Sequence, residues 1–148
     1  MTKDEVVYEA CLLLVRHFRN LLLYKINGFN TRIFSHMLHP ERDFVFLGTS
    51  VEASTASRVH PEHVVPCAVL IVECCRLISA GKPDELVAEL LKKHWKIAYI
   101  TKEQAYELDH TRKLKSTMPP NWNFETGNTL ERLNVANIQL VEDPTFKP

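Results

Sequence analysis

The signals that would place this chain quickly are missing. Its four cysteines, Cys11, Cys67, Cys74 and Cys75, form no Cys-x-x-Cys pair and no disulfide-like spacing. The opening residues, Met1 to Glu5, are polar and acidic, unlike a secretory leader. Free thiols in a reducing, cytoplasmic compartment are therefore the expectation. No apolar run reads as a membrane span, because Arg16, His17 and Arg19 interrupt the stretch from Val6 to Ile26. Neither sign of charge is in excess. The 18 basic and 18 acidic side chains cancel, which excludes a whole-molecule basic field for nucleic acid and the acidic surplus of a DNA mimic. Any nucleic-acid contact has to come from a local patch. Repeats, low-complexity tracts and linker-like segments are also missing, so residues 1–148 read as a single compact domain.

What is present is ordinary globular material, with 45% apolar and 24% charged residues. Its patterning predicts a helix-rich α+β fold of about five helices and a few short strands. Thr2 and Glu5 fit a capping box, and Asn27-Gly28 supplies a stop for the first helix. Between them Val6, Val7, Ala10, Cys11, Leu13, Leu14, Phe18, Leu21, Leu22 and Ile26 make a broad stripe, and Leu12, Val15 and Leu23 widen it. That breadth suits a central helix, or a helix shared with a second copy in a homodimer. Residues 29–41 look irregular. Arg42 to Leu47 reads as a strand closed by Gly48, and Arg58 to Val65 as extended chain, since Pro61 disfavours helix at His60.

Pro66 suits the first position of a second long helix ending at Gly81. Its stripe, Cys67, Leu70, Ile71, Cys74, Leu77 and Ile78, is expected to be buried against the first helix. A third helix follows Pro83, with Leu86, Val87, Leu90, Leu91 and His94 on one face; His94 there suits the dipole and covers the core edge. Then come a strand from Trp95 to Ile100, a helix capped by Thr101 and Gln104 and running to about His110, and a loop over 111–127. A last helix from Thr129 to Ala136 and a strand from Ile138 to Val141 complete the pattern.

The segment from Arg58 to Pro66 concentrates polar chemistry in an apolar setting. On an extended chain Arg58, His60 and Glu62 share one face and His63 takes the other. The run Glu62-His63-Val-Val-Pro66 resembles the acidic-His-x-x-Pro opening of the HNH, or His-Me finger, nuclease motif. The resemblance covers these five residues, and no Asn occurs between Pro66 and Asn121 to supply the rest of the motif. It implies a metal-assisted phosphodiesterase acting on nucleic acid, or a degenerate descendant. Glu62 would bind a divalent ion (Mg, Mn or Zn), with His60 as a second ligand. His63 would be the general base, and Arg58 would steady a phosphate. The structural alternative is that the two histidines serve strand ends and Glu62 favours a helix N-terminus. A second alternative for the whole chain is a non-catalytic regulator or inhibitor that binds a protein partner through the first helix.

Other residues carry weaker signals. Cys67 and Cys74, seven apart on an apolar stripe, read as core thiols. Lys92, Lys93, Lys96 and the basic run His110 to Lys115 are expected to be solvated surface unless the fold gathers them for phosphate contact. Trp122 and Phe124 either pin their loop or offer a stacking platform for a base.

Overall fold

The computed structural model describes residues 1–25 and 29–141, so Ile26 and the stop signal at Asn27-Gly28 lie outside the described residues. Seven α-helices and four strands are described. They are α1 (Lys3–Leu23), α2 (Ile33–Met37), α3 (Arg42–Val45), β1 (Phe46–Ser50), β2 (His60–His63), α4 (Cys67–Ser79), α5 (Asp84–His94), β3 (Ile97–Ile100), α6 (Lys102–Tyr106), α7 (Glu131–Val135) and β4 (Leu140–Val141). The class is α+β, as the patterning predicts. The helix count exceeds five because α2 and α3 form in and just after the stretch expected to be irregular.

Local signals account for most element starts. The Thr2 hydroxyl accepts the Glu5 N–H at 3.1 Å while the Glu5 carboxylate accepts the Thr2 N–H at 2.8 Å. Thr101 and Gln104 repeat the arrangement at α6. Two boundaries differ from expectation. Residues 42–45 turn helically, with the Val45 N–H bonded to the Glu41 carbonyl at 2.8 Å, and the strand begins only at Phe46. A short apolar run does not distinguish the two conformations. Gly48 lies inside β1 rather than ending it, because β4 passes so close that a Cβ at 48 would stand 2.6 Å from the Val141 carbonyl oxygen. Near the C-terminal side, α7 and β4 are shorter than the patterning suggests.

The sheet order is β2-β3-β1-β4, with β1 and β3 parallel and the two flanking pairs antiparallel. Val64 and Ala98 belong to one buried cluster, while their neighbours Val65 and Ile97 belong to another. Successive side chains leave a strand on opposite faces, so the sheet separates two cores. The larger core holds α1, α4 and α5, and the smaller gathers Ala105, Leu108, Leu133 and Ala136.

Packing corrects three expectations about faces. Leu12 and Val15 are buried, because α1 is covered by both α4 and α5. Of the three residues that widened its stripe only Leu23 is exposed, and Leu13, placed within the stripe, is 54% exposed. On α4, Leu70, Ile71, Cys74, Leu77 and Ile78 are buried, whereas Cys67 is only partly so. On α5 the buried face is Val87, Ala88, Leu91 and His94, and Leu86 is exposed.

His94 pins the long loop to the core. Its Nε2–H donates to the Phe124 carbonyl at 2.7 Å, and its Nδ1 accepts from the Thr129 hydroxyl at 2.9 Å. Phe124 is buried, and the Trp122 indole donates to the Asn128 carbonyl at 2.9 Å, so both aromatics hold the loop. Burial pushes the His94 imidazole down to about 4, so it is neutral and does not serve the helix dipole as a charge. The unfolded chain takes up a proton on this residue as pH falls below about 6.5, where the native state does not. Stability is therefore expected to drop as pH falls from 6.5 towards 4. Urea unfolding of wild type and His94→Ala at pH 7 and pH 5 should show the wild-type advantage shrinking by about 1–2 kcal/mol at the lower pH.

Candidate site at the strand β2 to helix α4 junction

The strand carries its polar residues as alternation requires. His60 and Glu62 lie together, with His60 Nε2 3.2 Å from Glu62 Oε2. Arg58 does not join them. The chain bends at residues 57–58, and Arg58 lines a separate depression with Thr101 and Glu103. At the far end of β2 the chain runs through Val64 and Val65, both buried, to Pro66, and α4 begins directly at Cys67.

Glu62 meets a cation from the end of the chain. The Arg132 side chain on α7 has no solvent exposure, and its Nη2 lies 2.8 Å from Glu62 Oε1. The same guanidinium donates to the Leu114 carbonyl at 2.7 Å and to the His63 carbonyl at 3.1 Å, and stands 3.8 Å from Asp109. Asp109 is brought there by a π-helical turn, Glu107–Thr111, that continues α6. Arg132 therefore joins β2, the π turn and the following loop. One Glu62 oxygen faces Arg132 and the other faces His60, so in this arrangement the pair does not present an open donor set to a divalent ion. Among the described residues no group of three His, Cys, Asp or Glu side chains is placed to hold one.

His63 points elsewhere, into a contact with Glu41. Its Nε2 lies 2.7 Å from Glu41 Oε2, and the Trp95 indole N–H donates to that same oxygen at 2.8 Å. Burial alone would raise the Glu41 carboxyl, but hydrogen bonds from His63 and Trp95 hold it below the usual carboxylate range. Burial likewise pulls the imidazole down, yet hydrogen bonds to Cys67 and Glu41 outweigh it and raise His63 to about 10. His63 is thus an imidazolium near neutral pH in this arrangement.

Cys67 completes the series on the other side. Its thiol stands near the His63 imidazole and is among the groups that raise it, and it opens a 13-residue helix whose N-cap, Pro66, offers no side-chain cap. The Cys67 and Ala68 N–H groups have no acceptor among the described residues. A cleft of about 580 Å³ exposes His60, His63, Cys67 and Ala68, with Arg32 and Lys115 on its walls.

Comparison of the chain with protein-family models, with curated proteins and with solved structures yields no match. The chemistry of the cleft has to be read from its own geometry.

Sequence patterning singled out His60, Glu62 and His63 but not their partners Glu41 and Arg132, and it read Cys67 as a core thiol. Glu41 sits in a stretch without periodicity, and Arg132 is one charge in a short helix. For Cys67 a signal existed: the four-residue spacing from His63 across Pro66. The basic residues do not gather in one patch. Lys92 pairs with Asp4 at 3.1 Å, while Lys115 lines the cleft.

Two outcomes follow. Removing Arg132 leaves Glu62 largely buried without its cation, so Arg132→Leu should lower stability by about 3–5 kcal/mol in urea unfolding. The Glu62→Gln, Arg132→Leu double variant should recover part of that loss. Second, a His63 held near 10 contributes stability that is complete below its unfolded value of about 6.5 and is lost as pH rises through 10. Imidazole NMR titration should show this raised value in wild type and a clear fall toward 6.5 in Glu41→Gln.

Proposed function

We propose that Cys67, His63 and Glu41 form a nucleophilic site for acyl transfer or hydrolysis. The observation that carries the reading is one continuous series. A thiol at the first turn of a helix contacts an imidazole, and a buried carboxylate holds that imidazole in place. Trp95 fixes the carboxylate in turn.

In this reading the reactive form pairs a Cys67 thiolate with the His63 imidazolium, whose raised proton affinity suits that role. Cys67 Sγ attacks the carbonyl carbon of an ester, thioester or amide. The charge that develops on the carbonyl oxygen is met by the unpaired N–H groups of Cys67 and Ala68. The bond to the leaving group breaks, and His63 hands that group the proton. The acyl group is now a thioester on Cys67. Water then attacks it, passing a proton to neutral His63, and the acid departs as Sγ regains its resting state. Glu41 stabilises the imidazolium form throughout and orients the ring.

Alkylation with iodoacetamide at pH 6, read by mass spectrometry, tests the nucleophile. Cys67 should react on the order of tenfold faster than N-acetylcysteine, and His63→Ala should remove the advantage. Hydrolysis of activated esters should disappear in Cys67→Ser and fall about a hundredfold or more in His63→Ala. A Cys67 that alkylates like a solution thiol, indifferent to His63, overturns the reading. Metal-dependent cleavage of DNA or RNA that survives Cys67→Ser and is lost in Glu62→Gln would instead support the phosphodiesterase implied by the Glu-His-x-x-Pro run.

A further inference from the structure

The charges around the cleft are paired in its depth and not at its opening. Three carboxylates stand near it, each within reach of a cation, with Glu62 and Asp109 sharing Arg132. Glu41 is held by His63 and Trp95, Glu62 by Arg132 and His60, and Asp109 lies 3.8 Å from the Arg132 guanidinium. On the cation side, Arg32 and Lys115 line the opening, and neither side chain makes an ion pair among the described residues. Cys67 and Ala68, whose N–H groups have no acceptor among the described residues, line the same space. What the opening of the cleft offers an incoming molecule is therefore two cations without an ion pair and hydrogen-bond donors, in the same space as Cys67.

We infer that the substrate of this site is an anionic acyl compound, an ester, thioester or amide carrying a carboxylate or phosphate that Arg32 and Lys115 receive. The inference rests on the nucleophilic role of Cys67 and adds the substrate class. Arg32 suits the task because its planar fork pairs both oxygens of such a group, and Lys115 adds a mobile point charge. A cleft lined by unpartnered cations attracts an anion even though the molecule as a whole is neutral, since the local field decides. The substrate carbonyl then has a defined approach, with its charged end at Arg32 and Lys115 and its reactive carbon at Cys67.

A pair of alkylating reagents separates this inference from the reading beneath it. Iodoacetamide is neutral and iodoacetate is anionic, but in both sulfur displaces iodide from a CH2 carbon, leaving a carbamidomethyl or a carboxymethyl group of nearly the same size. The rate of iodoacetate divided by that of iodoacetamide at Cys67, normalised to the same ratio for N-acetylcysteine, reports preference for the anion. That normalised ratio should exceed one by on the order of tenfold at low salt and shrink at high salt. It should fall by about threefold or more in Arg32→Gln and again in Arg32→Gln, Lys115→Gln. Both positions are exposed, so the variants are expected to fold. Succinate and inorganic phosphate, added separately as protecting anions, distinguish carboxylate from phosphate as the group received. A fast reaction with iodoacetamide but a normalised ratio of one or less, or a ratio that ignores both substitutions, overturns the anionic substrate and leaves the nucleophile standing. No fast reaction with either reagent overturns the nucleophile itself.

Discussion

A guanidinium with no access to water has to be neutralised and hydrogen-bonded where it stands, and Arg132 imposes that requirement on the parts of the fold around it. Glu62 from the edge strand, the carbonyls of His63 and Leu114, and the nearby Asp109 all converge on it. These groups come from three separate stretches of chain. Their convergence holds β2 at one height and one twist relative to α7 and the π turn. Because one of the acceptors is the His63 carbonyl, the same constraint positions the backbone from which the His63 ring departs.

The second anchor works from the opposite side. Glu41 is mostly buried in the turn before α3, and one of its oxygens takes hydrogen bonds from both His63 and Trp95. The carboxylate is costly to bury, and the charged His63 offsets that cost, which is why burial and pairing pull each group's protonation in opposite directions. Arg132 sets the backbone and Glu41 sets the ring. The Cys67 thiol is placed by a third element, α4, whose start follows from Pro66. The side chains of the cleft are thus held by three separate pieces of the fold, an arrangement that preorganises them.

How much of this was legible beforehand differs by element. The capping boxes at Thr2 and Thr101 announced α1 and α6, because their chemistry is local, with donor and acceptor only three residues apart. Pro66 announced the start of α4 for the same reason. The burial of Leu12 and Val15 was not legible, since a helix covered by two partners and one shared with a second copy have the same breadth of stripe. Glu62 and His63 were visible as a polar pair in an apolar segment. Their partners were not, because Glu41 lies 22 residues before His63 and Arg132 lies 70 after Glu62.

By itself, then, the sequence determined the α+β class, the capped starts of the main helices, and the alternation that puts His60 beside Glu62. Each of these depends on neighbours within a few residues, and short-range sterics and hydrogen bonding are written directly in the order of side chains. Only the tertiary structure decided which partners the polar residues take. It paired Glu62 with Arg132 rather than leaving it open, turned Arg58 away, and set His63 between Glu41 and Cys67. Those outcomes depend on which distant charges the packing of the two cores brings together, because a buried charge takes the partner that the fold delivers.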